Sequence, residues 1–243
     1  MGVFAGTPER ESGLSVHLID GFELELDGRP ISLSPSLERL IAYLALHVKP
    51  LLRTHVAGAL WLDASEQHAI GNLRSTLCRL RQIGGRVVDA SATHLLLSPD
   101  VSVDLRGAMT LIRDVTDRFE APAEPARGIE MLSGDILPDW YDDWVLIERE
   151  RFRQLRLRGL EALCERLTAA GRFTQAVECG LAAVSAEPLR DGAQRVLISA
   201  YLAEGNVADA VRQFGIHRRQ LQEELGIEPS RDIAELVQAS LRN

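Results

Sequence analysis

Two stretches in the C-terminal third of the chain repeat one another 34 positions apart. Residues 170–176 read Ala-Gly-Arg-Phe-Thr-Gln-Ala, and residues 204–210 read Glu-Gly-Asn-Val-Ala-Asp-Ala. A 34-residue period is typical of arrays of helix pairs, in which each pair stacks on its neighbour because neither can bury its apolar face alone. Ala176 and Ala210, which recur at this spacing, are small enough for two helices to cross closely.

The remainder of the chain after Asp104 is also predicted to be helical. Helical segments are expected at 105–115, 124–132 and 142–170. The repeats end in Ala186-Glu187-Pro188 and Ile227-Glu228-Pro229, which are 41 rather than 34 positions apart. The seven extra residues predict that the last long helix is extended by about two turns. Residues 101–243 are therefore predicted to form an all-α domain of tetratricopeptide-like helical repeats.

The N-terminal part of the chain has a different pattern. Residues 1–13 are polar and without period, which predicts a disordered tail. Short β-rich segments are predicted at 16–19, 22–26 and 31–33, and helices at 37–45, 53–60 and 65–83. The two strands of a hairpin follow at 86–89 and 94–97. Three strands, three helices and a hairpin is the order of elements in a winged helix-turn-helix, whose third helix enters the major groove of DNA. An α+β domain with an inert third helix has the same order. We take 14–100 as a winged-helix domain, so that the fold class of the whole chain is mixed.

The charge distribution bears on nucleic-acid binding more than the net charge does. The formal net charge is -8, which by itself disfavours DNA. From Ser65 to Arg86, however, Glu66 is the only acidic residue, against four arginines. Local charge sets the field that a partner meets, so this segment is compatible with a polyanion.

The segment 65–83 has the pattern of a recognition helix. Ser65 and Glu66 predict its N-terminus, and Gly84-Gly85 its end. At 100° per residue, an apolar stripe is predicted from Ile70, Leu73, Leu77 and Leu80. The opposite face carries His68, Gly71, Asn72, Ser75, Arg79 and Gln82, with Arg74, Arg81 and Thr76 flanking the stripe. Guanidinium, amide and hydroxyl groups bind base edges and phosphates. The alternative is a merely solvated face, but such faces usually mix acids with bases.

Two neighbouring segments are predicted to touch the DNA as well. Arg53, Thr54 and His55 open the second helix, whose N-terminus faces the DNA backbone in this motif. Arg86, Thr93 and His94 on the hairpin can reach an adjacent groove. The predicted DNA-binding residues are Asn72, Arg74, Ser75, Thr76, Arg79, Arg81, Gln82, Arg53, Thr54, His55, Arg86, Thr93 and His94.

The sequence carries no motif for catalysis, metal binding or membrane insertion. Phosphate-binding, dinucleotide-binding, zinc-protease and nucleophile-elbow motifs are all missing. Six histidines and three cysteines show no metal-ligand or disulfide spacing. No apolar run approaches the ~20 residues of a membrane span, and no signal peptide is recognised. We therefore expect a cytoplasmic protein that is not an enzyme and uses no cofactor or metal.

Four further motifs resemble one family. They are the run Asn72-Leu-Arg-Ser-Thr-Leu-Cys-Arg-Leu-Arg81, the segment Leu132-Ser-Gly-Asp-Ile-Leu-Pro-Asp-Trp-Tyr-Asp-Asp-Trp144, the run Glu148-Arg-Glu-Arg151, and Glu223-Glu-Leu-Gly-Ile-Glu-Pro-Ser230. Together they look like the bacterial antibiotic-regulatory-protein class of transcriptional activators. The resemblance covers about residues 14–241. It implies a response-regulator-type winged helix followed by a bacterial transcriptional activation domain.

The resemblance also implies partners and roles. Members bind double-stranded promoter DNA, often as a homodimer on direct repeats, and contact RNA polymerase. By position, Asn72, Ser75, Thr76 and Arg79 match groove-facing residues, and Arg74 and Arg81 match backbone contacts. The leading hypothesis is thus a sequence-specific DNA-binding activator. The alternative is a helical-repeat adaptor between proteins, whose N-terminal domain does not bind DNA.

Overall fold

The computed structural model describes residues 13–83, 86–117 and 124–242. It has two compact units. The first runs to Arg106 and takes in Ile136–Leu146, and the second holds the described parts of Gly107–Asp135 and of Ile147–Asn243. Every strand in the described ranges belongs to the first unit, whereas the second is helical. The prediction of a mixed fold, with sheet in the N-terminal part and helices after it, is confirmed. The predicted tail, apart from Gly13, and the Gly84-Gly85 helix stop lie outside the described residues.

The first unit contains two small sheets and three helices. In chain order they are β1 (Leu14–His17), β2 (Glu23–Leu26), β3 (Arg29–Pro30), α1 (Pro35–Ala45), β4 (Leu51–Leu52), α2 (Arg53–Leu60), α3 (Glu66–Leu80), β5 (Val88–Ala90), β6 (His94–Leu97) and β7 (Ser102–Val103). One sheet has the strand order β3-β2-β1-β7 and the other β4-β6-β5. In the first sheet, β1 pairs antiparallel with β2 and places Val16 opposite Leu24, both buried.

Local chemistry explains the first hairpin and the helix starts. Asp27 and Gly28 join β2 to β3 with φ angles of 54° and 72°, the left-handed conformation that a two-residue hairpin turn demands. Pro35 opens α1, where its missing N–H costs nothing. Ser65 caps α3, because its Oγ accepts a hydrogen bond from the backbone N–H of His68 at 3.4 Å.

The C-terminal hairpin of this unit is attached to the helices. The strand β4 pairs antiparallel with β6, and the backbone N–H of Arg53 donates to the carbonyl of Thr93 at 2.9 Å. The strand β4 is not among the segments predicted from the sequence. Its pairing with β6 holds the hairpin beside the N-terminus of α2.

The segment Ile136–Leu146 packs on the first unit. The backbone N–H of Leu137 donates to the Leu18 carbonyl at 2.9 Å, and the Arg39 guanidinium lies 2.5 Å from an Asp142 carboxylate oxygen. Its position in the chain predicts that this segment belongs to the helical domain, but it is part of the first unit. We call residues 136–146 the joint segment.

The second unit is built from helix pairs. Its helices, two of which begin in the first unit, are α4 (Asp104–Asp117), α5 (Pro125–Ser133), α6 (Asp143–Ala169), α7 (Phe173–Ala186), α8 (Asp191–Glu204), α9 (Val207–Leu225) and α10 (Arg231–Ser240). The repeated alanines, Ala176 and Ala210, are both fully buried. The backbones of α7 and α8 come close at Gly180, where a Cβ would lie 3.0 Å from the Cα of Leu197. The helix α9 has 19 residues against 14 in α7, so it is longer as predicted, by five residues rather than seven.

A buried arginine and two buried thiols in the second unit bond to its backbone. Arg156 is 5% exposed, and its guanidinium donates to the carbonyls of Leu132 and Ser133 and to the carboxylate of Asp135. It thereby fixes the turn that follows α5. The thiols of Cys164 and Cys179 donate to helix carbonyls. Burial raises the pKa of Cys164 to about 12 and also raises that of Cys179, so neither is a reactive thiolate at neutral pH.

Across the ranges that the structure describes, no helix is both long enough and apolar enough to cross a membrane.

Candidate nucleic-acid interface

The buried side of α3 differs by one step from the predicted stripe. It comprises Ala69, Leu73, Thr76, Leu77 and Leu80, whereas Ile70 is only half-buried. Thr76 is 1% exposed, and its hydroxyl donates to the Asn72 carbonyl at 2.8 Å. The prediction of Thr76 as a groove-facing residue is therefore wrong. A threonine can enter a core stripe in this way because its hydroxyl bonds to the preceding helical turn.

The outer side of α3 is polar and open. Its exposed residues include Asn72, Arg74, Ser75, Cys78 and Arg79, and Arg81 and Gln82 continue the exposed surface into the turn after the helix. The sequence predicts a helix that runs to Ile83, but α3 ends at Leu80. The helix stops there because the backbone N–H groups of Gln82 and Ile83 donate to carbonyls only three residues back. Gly71 also lies on the outer side, and a Cβ there would meet no heavy atom within 4 Å. Packing within the chain therefore does not require a glycine at this position.

The arginines of this surface are not neutralised. Among the described residues, no carboxylate forms an ion pair with Arg74, Arg79 or Arg81. Guanidinium groups left without an internal partner keep all their N–H donors for an external anion. This is the electrostatic condition that a DNA-binding helix must meet.

A groove of about 400 Å³ lies between α3 and the hairpin. Its lining includes four arginines: Arg53, Arg74, Arg81 and Arg86. Two of these have partners, since Arg86 pairs with Asp89, and the Nε of Arg53 donates to the Ser91 carbonyl at 3.0 Å. Cys78, which is exposed, also lines the groove.

The N-terminus of α2 adds donors beside this groove. Arg53 and Thr54 line a second groove of about 280 Å³ with Arg74 and Thr93, so the structure brings residues from three predicted segments together. No side chain caps α2, whose N-cap is Leu52. The N–H of Arg53 is bonded to the Thr93 carbonyl, and the next N–H groups of the first turn stay available to an anion. His55 is exposed, with its Nε2 lying 3.0 Å from the hydroxyl of Tyr43.

The hairpin contributes less than α3 does. Arg86 is 72% exposed, but its charge is balanced by Asp89. Thr93 is exposed, and His94 is half-buried with its Nδ1 2.9 Å from the Thr93 hydroxyl.

Sequence reasoning missed Tyr43, whose position in α1 matches the apolar stripe of that helix. The structure shows that its hydroxyl contacts His55, which lies twelve residues further along the chain.

Metal chemistry finds no support in this arrangement. The described ranges hold no cluster of three or more histidine, cysteine, aspartate or glutamate side chains that could hold a metal ion.

Comparison with known proteins decides the family. The family model described as the bacterial transcriptional activator domain matches residues 106–241. The chain belongs to this family. Two curated relatives are similar to it, both called regulatory protein AfsR: one from Streptomyces griseus, 28% identical over 78% of this chain, and one from Streptomyces coelicolor, 27% identical over 96%. The resemblance to the antibiotic-regulatory-protein class of activators is confirmed.

The relatives are longer proteins. This chain spans 21% of the Streptomyces griseus protein and 25% of the Streptomyces coelicolor protein. A solved structure of Mycobacterium tuberculosis EmbR, in complex with a low-affinity phosphopeptide, is similar in fold with a TM-score of 0.71. It is 22% identical, and the match covers 94% of this chain and 65% of that one. At this identity the likeness shows the fold alone.

Proposed function

We propose that the protein is a sequence-specific DNA-binding transcriptional activator, and that its first unit is a winged helix-turn-helix. The observation that carries the proposal is the outer side of α3, where Arg74, Arg79 and Arg81 have no carboxylate partner among the described residues. In this motif the third helix enters the major groove and the hairpin forms the wing. The pairing of β6 with β4 and β5 matches such a wing.

The side chains divide by what they can recognise. Asn72, Ser75, Arg79 and Gln82 present groups that bind base edges. Arg74 and Arg81, at the border of the groove, fit phosphates. Arg53, Thr54 and His55 on α2 fit the DNA backbone as well, and Arg86, Thr93 and His94 on the wing fit an adjacent groove. Thr76 has no part in the contact.

The second unit is the proposed activating part. The family model covers it and describes a transcriptional activator domain, and stacked helix pairs offer extended surfaces to protein partners. We assign DNA binding to the first unit and contact with RNA polymerase to the second. On promoter DNA, two copies would bind direct repeats as a homodimer.

Salt dependence of DNA binding tests the proposal. Genomic footprinting first identifies the bound sites, and a duplex carrying one site is then titrated with the protein at several salt concentrations. If arginines neutralise phosphates, log K falls linearly with log[salt], with a slope of about −0.9 for each phosphate contacted. An affinity that depends on neither salt nor DNA sequence, or the absence of binding, would contradict the proposed function. It would favour an adaptor that works through its helical repeats alone.

A further inference from the structure

Tyr43 lies behind the exposed His55. It belongs to α1, is 4% exposed, and places its hydroxyl oxygen 3.0 Å from the Nε2 of His55, the third residue of α2. His55 itself is exposed beside Arg53 and Thr54. A buried hydroxyl therefore contacts one edge of a solvent-facing imidazole, while the other ring nitrogen, Nδ1, remains on the far edge.

The hydroxyl of Tyr43 can donate to the Nε2 of His55 or accept from it, so the distance alone does not fix the tautomer. When the hydroxyl donates, Nε2 carries no hydrogen, and the hydrogen of the neutral ring resides on Nδ1. If the ring is protonated instead, Nε2–H donates to the tyrosine oxygen and Nδ1 still carries its hydrogen. In both states the outward edge of His55 is a hydrogen-bond donor, which is the group that a phosphate oxygen accepts from.

The ring of Tyr43 is itself held by aromatic neighbours. The ring of His47 lies 4.6 Å away, centroid to centroid, and the indole of Trp144 lies 5.1 Å away with its plane at 88° to the phenol. Both sides of Trp144 are anchored. Asp142, two residues before it, pairs with Arg39 of α1, and Val145, directly after it, is fully buried. The joint segment thus fixes the tyrosine that in turn contacts His55.

We propose that Tyr43 is a positioning residue for the DNA backbone. It holds His55 in the tautomer and orientation in which Nδ1–H donates to a phosphate, and Trp144 of the joint segment holds Tyr43 in place. This inference rests on the proposed function and adds a specific role for residues that do not touch DNA. A side chain held by a second layer of contacts binds better because less freedom is lost on binding.

A double-mutant cycle on the full chain tests it. The variants are Tyr43→Phe, His55→Ala and the two combined, and the control is Tyr141→Phe, which removes the hydroxyl of a tyrosine that is 79% exposed. The probe is a mixed-sequence duplex of about 30 base pairs at about 50 mM salt, since backbone contacts do not depend on sequence. Thermal melting of each variant confirms that it folds.

We expect Tyr43→Phe to weaken binding about threefold, the size of one net hydrogen bond, and to have no further effect when His55 is already alanine. Tyr141→Phe should bind as the wild type does. In free protein, nitrogen-15 NMR should find the hydrogen of His55 on Nδ1, and Tyr43→Phe should shift it towards Nε2.

The outcomes separate this inference from the proposed function. Absence of duplex binding by the wild-type protein would overturn the proposed function and this inference together. Binding by the wild type with the same loss from Tyr43→Phe in both backgrounds would overturn this inference alone. So would a wild-type His55 that carries its hydrogen on Nε2. If Tyr43→Phe fails to fold, Trp144→Phe replaces it in the cycle with the same expectations.

Discussion

At the scale of single residues, Thr76 shows where sequence patterns stop being informative. It lies on α3, where a helical wheel assigns it to the border between the buried and the exposed face. Thr76 was placed at the border of the stripe, yet it is buried because its hydroxyl bonds to the carbonyl of Asn72. Its polarity alone could not reveal this internal partner.

Gly71 yields the first prediction. We expect Gly71→Ala to raise the free energy of unfolding by about 0.5–1 kcal/mol, since alanine is the better helix former and the added Cβ meets no atom of the chain. We also expect weaker DNA binding, because a methyl group would meet the duplex where the outer side of α3 approaches it. Chemical denaturation and DNA titration measure the two effects. Improved stability with unchanged affinity would place Gly71 away from the duplex.

The three cysteines should differ in reactivity. Cys78 is exposed, whereas Cys164 and Cys179 are buried and have raised pKa values. At pH 7.5, a thiol reagent should label one cysteine per folded chain, namely Cys78, and all three after denaturation. Peptide mapping identifies the labelled residue, and bound DNA should slow its labelling. Rapid labelling of Cys164 or Cys179 in the folded chain would contradict the packing of α6 on α7.

At the scale of elements, local signals predicted more than long-range pairing did. The bounds of α2 agree with the prediction, as does the start of α3 at its Ser65 cap. The strand β4 has two residues, and it exists because β6 pairs with it. The docking of the joint segment on α1 likewise depends on contacts about a hundred residues apart, such as Arg39 with Asp142. No local pattern encodes such contacts.

Arg156 fixes the turn after α5 and supplies a prediction for that element. Arg156→Ala should lower the free energy of unfolding by about 2–4 kcal/mol, because it removes the donors to the carbonyls of Leu132 and Ser133 and leaves them buried. Arg158→Ala is the matched control, since this arginine is exposed on the same helix. Urea denaturation measures both. Equal effects of the two substitutions would contradict the role of Arg156.

The docking of α10 should depend on pH through Asp191. Burial alone would raise the pKa of this carboxyl, but hydrogen bonds from His217 and Ser230 outweigh it and hold the pKa below its usual value. A carboxyl whose pKa is lowered by folding stabilises the folded state above its unfolded pKa, and that contribution is lost as the pH falls through the folded pKa.

The variant Asp191→Asn tests this linkage. We expect it to lower the melting temperature at pH 7, and the difference from the wild type to shrink as the pH falls below the unfolded value of about 3.8. Thermal melts between pH 7 and pH 3 follow the difference. A difference that does not change with pH would show that the charge of Asp191 has no part in holding α10.

At the scale of the whole molecule, the charge is distributed unevenly. The chain carries a formal charge of -8, yet the surface formed by α3 and the N-terminus of α2 exposes arginines without carboxylates after Glu66. A basic surface on an acidic protein directs DNA to one face and repels it from the others. The sequence made this segregation visible, because acidic residues are absent from 67–86, but only the structure showed that Arg74, Arg79 and Arg81 have no carboxylate partner within the ranges it describes.

One comparison of DNA affinities tests most directly whether α3 reads DNA. The affinity of the variant Arg79→Ala for a footprinted site is compared with that of the variant Arg231→Ala. Arg231 is the control because its side chain is 88% exposed on α10, a helix of the second unit. Loss of Arg79 should cost about 1–3 kcal/mol on the specific site, a weakening of roughly five- to 150-fold, whereas Arg231→Ala should bind as the wild type does. Equal affinities for the two variants and the wild type would contradict the claim that α3 reads DNA.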